Sequence, residues 1–160
     1  ILGASEVFAI DPVKSRRDMA EKLGAIALDP NEDAVAKVLE QTQGAGAQSV
    51  FEASGASGAI AAVLPLTARG GTASFIGIPQ PQDMLSMQLI MFKNITVRGG
   101  ICQVQETWPH LVPLVRQGRI EPDRIGLQNA QRYGANHEIP GVIACACAHG
   151  DTVFAMRDRC

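Results

Sequence analysis

An acidic residue that closes an apolar run just before a basic helical stretch is well placed for chemistry on hydroxyl groups. Residues 7–19, VFAIDPVKSRRDM, contain one at Asp11. A carboxylate there accepts hydrogen bonds either from the hydroxyls of a ribose or from backbone amides, as a helix cap or the start of a turn with Pro12. The residues alone support both. A second candidate lies near the C-terminus, where Cys145, Cys147 and His149 bring together three soft or borderline ligands. Their CxC-x-His spacing lacks the two-pair pattern of structural zinc sites, so an unstructured tail is expected there rather than a metal centre. His110, after Trp108 and Pro109, falls in an apolar helical stretch and is expected on a helix surface rather than as a catalytic base. No Ser/His/Asp set or P-loop is present, and with five Phe, one Tyr and one Trp there is no base-stacking platform.

The elements that must position these residues alternate. Residues 7–10 form a short β-branched and aromatic run, and residues 15–23 place Met19, Ala20 and Leu23 on one helical face before Gly24 ends it. Residues 25–28 are strand-like, and residues 33–42 are helical until the glycines at 44 and 46. Residues 48–53 form the next strand, 59–67 a helix ended by Gly70 and Gly71, and 72–78 a strand closed by Pro79. Strict alternation implies parallel pairing, because each crossover between parallel strands needs a covering helix. The predicted fold is α/β with a doubly wound, Rossmann-type parallel sheet.

After Pro79 the rhythm changes. Residues 80–83 form a polar loop, 85–91 are apolar and Met-rich, 95–101 form a strand containing Gly99 and Gly100, and 108–115 form a helix ended by Gly118. Beyond residue 125 no period persists. Two segments follow: residues 1–125 as a partial dinucleotide-binding unit and residues 126–160 as a divergent tail with no assigned structure.

The chain has 160 residues, enough for one domain with a real core, and a formal charge of -2. Its basic residues are scattered, which argues against a nucleic-acid footprint, and no apolar run approaches the ~18 residues of a membrane helix. Four cysteines without paired spacing favour a reducing compartment, so a soluble, cytoplasmic protein is expected. The chain opens on Ile, which suggests a processed product or a piece of something longer.

In a dinucleotide-binding βαβ unit, a glycine-rich turn after the first strand cradles the pyrophosphate at a helix N-terminus. An acidic residue about 20 positions later accepts from the ribose hydroxyls. Counting back from Asp11 puts that turn before residue 1. With the first strand absent, the central position of a 3-2-1-4-5-6 sheet is expected to be empty, its two neighbours exposed or collapsed together, and the isolated chain marginally stable.

Five phrases in order carry a resemblance: LGASEVFAIDPVKSRRDMAEKLGA, SVFEASGASGAI, ARGGTASFIGIP, NITVRGGI and TWPHLVPLVRQGRIEPDRI. Over residues 1–125 the chain resembles the cofactor domain of medium-chain, zinc-containing alcohol and polyol dehydrogenases, with a last phrase like that of the threonine and formaldehyde dehydrogenase branches. The resemblance implies that Asp11 holds the adenosine ribose and repels a 2′-phosphate, favouring NAD over NADP. Arg16 would help at the same ribose, although Arg16 and Arg17 together could instead tolerate a phosphate. Ala53 and Ser54 would sit under the adenosine-ribose side, with Gly55 allowing close approach. Ile76, Gly77 and Ile78 would pack near the nicotinamide, and Gly100 and Ile101 would meet its carboxamide.

The family's zinc ligands belong to a separate domain that this sequence does not contain, and residues 126–160 depart from the family's pattern. The expected function is therefore the NAD-binding portion of an oxidoreductase acting on a small alcohol, inactive as an isolated chain and carrying no catalytic or metal residue of its own. The alternatives are a non-catalytic module that pairs two copies through an edge strand at residues 89–91 and 95–101, or a truncated product without activity.

Overall fold

The computed structural model describes residues 4–100, 104–120 and 142–146. Strand β1 (Glu6–Ile10) leads into α1 (Lys14–Lys22), followed by β2 (Ile26–Leu28), a short 3-10 turn and α2 (Ala34–Gln41). Next come β3 (Ala47–Glu52), α3 (Ser57–Leu66), β4 (Thr67–Phe75), α4 (Met87–Lys93), β5 (Thr96–Gly99) and α5 (Val104–Arg116). A sixth strand, β6 (Val142–Ala146), follows α5 in the chain. The sheet order is β2-β1-β6-β3-β4-β5. The pairs β1–β2, β3–β4 and β4–β5 are parallel, as strand–helix alternation requires, whereas β6 runs antiparallel to both of its neighbours.

The helices end where local chemistry stops them. Gly24 follows α1 with φ 90°, and Asp33 caps α2 by accepting from Ala36 N at 3.1 Å. Helix α4 begins at Ser86, whose hydroxyl accepts from Leu89 N, and stops at Asn94 in the left-handed region with φ 54°. Phe8, Val38, Val50, Val63, Leu66 and Ala73 are fully buried and form the centre of the core. This burial of aliphatic and aromatic area is the main favourable term.

Four expectations change. Residues 89–91 lie in α4 rather than in an edge strand, because the Ser86 cap and the Asn94 stop frame a helix around that apolar run. Strand β4 begins at Thr67, directly after α3, so Gly70 and Gly71 lie inside it at a register shift opposite residues 47–49 instead of ending a helix. Helix α5 starts at Val104 and includes Pro109 and Pro113, so it is not opened by Trp108. The segment expected to lack structure contributes β6, so β1 and β3 are neither exposed at the sheet centre nor collapsed on each other.

Candidate crevice at the strand ends

Because β1, β3, β4 and β5 share one direction, the residues after their C-terminal ends emerge along one edge of the sheet. Asp11 follows β1, Ala53–Gly55 follow β3, Ile76–Ile78 follow β4 and Gly100 follows β5. Open α/β sheets bind ligands in the crevice outside such ends. Ile101 and two of the three tail ligands, Cys147 and His149, lie outside the described residues. Cys145 belongs to β6, in register with Val7 and Ser49. Among the described residues no group of three or more His, Cys, Asp or Glu could hold a metal ion.

Asp11 is 4% exposed, and its two carboxylate oxygens have different surroundings. Oδ1 accepts from Val13 N at 2.7 Å and shapes the turn into α1, whereas Oδ2 is buried with no hydrogen-bond partner. The two readings of this residue are therefore compatible, one on each oxygen. Arg16 Nη1 lies 3.7 Å from Oδ2, too far for a hydrogen bond but close enough to offset the buried charge. Arg17 is committed elsewhere: it donates to Asp11 O at 2.7 Å and pairs with Asp29 Oδ2 at 2.8 Å. The hydrogen bond from Asn31 N, followed by the Arg17 charge, holds the Asp29 carboxyl below its ordinary 3.8.

The β3 end is organised by a residue for which the sequence reading had no role. Glu52 is 0% exposed, and its Oε1 accepts from Ser54 N at 2.8 Å, Ser54 Oγ at 2.6 Å and Gly55 N at 2.9 Å. Its backbone carbonyl accepts from Ile76 N at 2.8 Å and Gly77 N at 3.1 Å, which ties the β4 end to the same point. The signal that could have revealed it is an acid at a strand end with small donor-bearing residues two and three positions on, Ser54 and Gly55. Gly55 has φ 70°, and a Cβ on it would strike the Ile78 backbone; a Cβ on Gly77 would strike Gly55 and, at 2.5 Å, Glu52 Oε2. Ile76 and Ile78 are 56% and 79% exposed, so they are not the ordinary buried strand residues their type suggests. Strand β4 stops at Phe75 and leaves both in the loop beyond it. Gly100 donates to Phe75 O at 3.3 Å, just past the end of β5 rather than inside it.

The model of the zinc-binding dehydrogenase family matches residues 1–117. The chain belongs to that family. It is 35% identical over 123 residues to L-threonine 3-dehydrogenase of Caldanaerobacter subterraneus subsp. tengcongensis, covering 74% of this chain and 35% of that protein. Among solved structures, alcohol dehydrogenase TADH from Thermus sp. ATN1 superposes with a TM-score of 0.73 at 28% identity, over 81% of this chain and 40% of that one. The 2R,3R-butanediol dehydrogenase from Bacillus subtilis does so with a TM-score of 0.63 at 27% identity, over 73% and 34%. This member of the zinc-binding dehydrogenases thus spans about a third of the length of the curated relatives it matches. The matched part is the family's cofactor-binding domain, with its Rossmann-type parallel strands. No described helix is long and apolar enough to cross a membrane.

Proposed function

We propose that this chain binds the adenosine half of NAD, as the cofactor part of an oxidoreductase that passes hydride between a small alcohol and nicotinamide. The observation that carries this reading is Asp11 Oδ2, a buried acceptor without a hydrogen-bond partner at the C-terminal end of β1. A buried carboxylate oxygen is costly unless something donates to it, and a ribose hydroxyl supplies that donor. The same charge disfavours a 2′-phosphate. With Arg17 already held by Asp29 and the Asp11 carbonyl, Arg16 alone would be left to offset such a phosphate, so NAD is preferred over NADP.

In this reading Ala53, Ser54 and Gly55 line the adenosine-ribose side, Ile76, Gly77 and Ile78 offer apolar surface and close backbone towards the nicotinamide, and Gly100 and Ile101 meet its carboxamide. When bound, NAD supplies the hydride acceptor, and these residues bind and orient it. The catalytic zinc and the alcohol site would lie outside residues 1–160, so the chain alone should not oxidise alcohols. Residues 1–125 would form the cofactor unit and the remainder would stand outside the family pattern, in a protein of the cytoplasm. Strand β5 lies at the sheet edge with all four residues exposed, beside the exposed Met91 and Phe92 of α4, which supports pairing with a second copy along that edge.

The test is nucleotide binding to the full chain, followed by NMR with adenosine, AMP, NAD and NADP. Asp11→Asn keeps an acceptor for Val13 N while removing the charge, so the fold should persist and the preference for NAD over NADP should narrow about tenfold, or ~1.4 kcal/mol. An unchanged ratio would reduce Asp11 to a turn residue.

A further inference from the structure

Arg17 is fixed at two points. Its Nη1 donates to the Asp11 carbonyl at 2.7 Å and its Nη2 pairs with Asp29 Oδ2 at 2.8 Å, so one guanidinium on α1 bridges the ends of the neighbouring strands β1 and β2. The Arg17 and Asp29 side chains are 18% and 21% exposed, which partly shields the pair from the solvent that weakens most surface ion pairs. Asp29 is itself anchored. Its Oδ1 accepts from Asn31 N and Asn31 Nδ2, both at 3.0 Å, so the carboxylate is held with Oδ2 facing Arg17.

This pair bears directly on the ribose acceptor. Arg17 holds the carbonyl of the residue whose Oδ2 lacks a hydrogen-bond partner, and Arg16 Nη1 stands 3.7 Å from that oxygen. Two guanidiniums and two carboxylates therefore meet at the end of β1 with their charges balanced. Loss of the Asp29 charge would turn that balance positive and release a guanidinium beside Asp11. A released guanidinium pairs readily with a phosphate, because its planar fork presents parallel N–H donors to two oxygens at once.

We propose that Asp29, at the end of the strand beside β1, is a positioning residue for cofactor choice: it holds Arg17 against the Asp11 carbonyl and so withholds that guanidinium from the 2′ position of a bound adenosine ribose. The selected ligand is a nucleotide with a free 2′-hydroxyl. A 2′-phosphorylated adenosine is refused twice, by the Asp11 carboxylate and by a cation already engaged elsewhere. This inference rests on the reading that Asp11 Oδ2 takes the ribose, and it assigns part of the selectivity to a second acid that acts through Arg17.

The test is titration of the full chain with adenosine and with adenosine 2′-monophosphate, followed by amide NMR. Asp29→Asn can keep its amide oxygen on Asn31 N, which turns its NH2 donors towards Arg17 and ends the pairing. Adenosine affinity should stay within about twofold of the parent, as for most surface substitutions. Affinity for the 2′-monophosphate should rise about tenfold, the effect of one hydrogen bond to a charged group. Asp29→Ser, whose hydroxyl also accepts from a backbone amide two residues on, should show the same rise, and Asp29→Glu, which retains the charge, should return towards the parent ratio. Combining Arg17→Met with Asp29→Asn should abolish the rise, an outcome that a merely structural tie between α1 and β2 would not produce. A ratio that stays at the parent value in both Asp29→Asn and Asp29→Ser, or a rise that survives Arg17→Met, overturns the role of Asp29 and leaves the ribose reading of Asp11 standing. A parent chain that binds neither ligand overturns both.

Discussion

The two sides of the crevice are built by different physics. On the β1 side, ionised side chains set the geometry: Asp11 turns the chain into α1, Arg16 stands near it, and Arg17 spans from the Asp11 carbonyl to Asp29. On the β3–β4 side, backbone meets backbone, with Gly55 and Gly77 in mutual contact and Glu52 gathering the amides around them. Arg16, Arg17 and Asp29 keep part of their surface in solvent and are adjustable, because solvent and salt screen them and a neutral substitute costs little. Backbone contact at van der Waals distance leaves no such freedom. Ligand preference should therefore be alterable on the β1 side with the fold intact, while substitution on the other side should damage the fold first.

The strongest challenge to that contrast is Gly55→Ala. The substitution places a Cβ into the Ile78 backbone at a residue with φ 70°. Overpacking costs ~1–3 kcal/mol and a left-handed non-glycine backbone a further ~1–2 kcal/mol, so a loss of about 2–5 kcal/mol is expected in urea unfolding. Gly44→Ala is the matched control, with φ 82° but nothing within 4 Å of the added carbon. It should lose only the backbone part, ~1–2 kcal/mol. Equal losses at the two positions would show that the close approach at the β3–β4 end carries no energy of its own.

Glu52 sharpens the comparison, since it is an acid on the side built from backbone. Glu52→Ala leaves Ser54 N and Gly55 N without their acceptor at a fully buried position and should cost ~1–3 kcal/mol. Glu52→Gln keeps one acceptor oxygen and should cost about half as much. Amide exchange localises the effect: Ser54 and Gly55 should lose protection in the Ala variant ahead of the β1 amides. Uniform loss of protection across the sheet would mean that Glu52 acts on global stability rather than on this loop.

Much of this architecture was legible because periodicity reports burial. The runs at residues 7–10 and 48–53 alternate with helical stretches, and that alternation identified the parallel sheet and put Asp11 at a strand end. Residues 89–91 fold as a helix where a strand was equally compatible, because a short apolar run fits either. The deciding signals are local, namely the Ser86 cap and the Asn94 stop. Strand β6 left no trace, since five small and β-branched residues without a period carry no information about partners ninety or more positions away. Glu52 was passed over because an acid in a strand ordinarily marks a solvated face, and only the folded loop shows that its carboxylate points at amides.

The smallest expected effects come from titration, and they separate the β1 side of the crevice from the opposite edge of the sheet at the two ends of the pH scale. Asp29, on the β1 side, has a folded pKa below its ordinary 3.8, owing first to the Asn31 amide and then to Arg17. A lowered carboxyl contributes stability above the unfolded value and loses it as pH falls through the folded one, so the melting temperature should drop more steeply below 3.8 in the parent than in Asp29→Asn. Asp18 shares the direction through its hydrogen bond with Lys14, so some acid sensitivity should remain in that variant. At the opposite edge of the sheet, where α3 ends and β4 begins, Lys93 donates to the carbonyls of Leu64, Pro65 and Thr67, and burial lowers its pKa from 10.5. There the unfolded chain holds its proton to higher pH than the folded chain, so stability should rise as pH climbs through the folded value towards 10.5, and this rise should be absent in Lys93→Met. Melting temperatures of the three proteins across the acid and alkaline ranges decide the matter. If Asp29→Asn also flattens the alkaline limb, or Lys93→Met the acid one, the two edges of the sheet are electrostatically coupled and the β1 side cannot be adjusted independently of the rest of the fold.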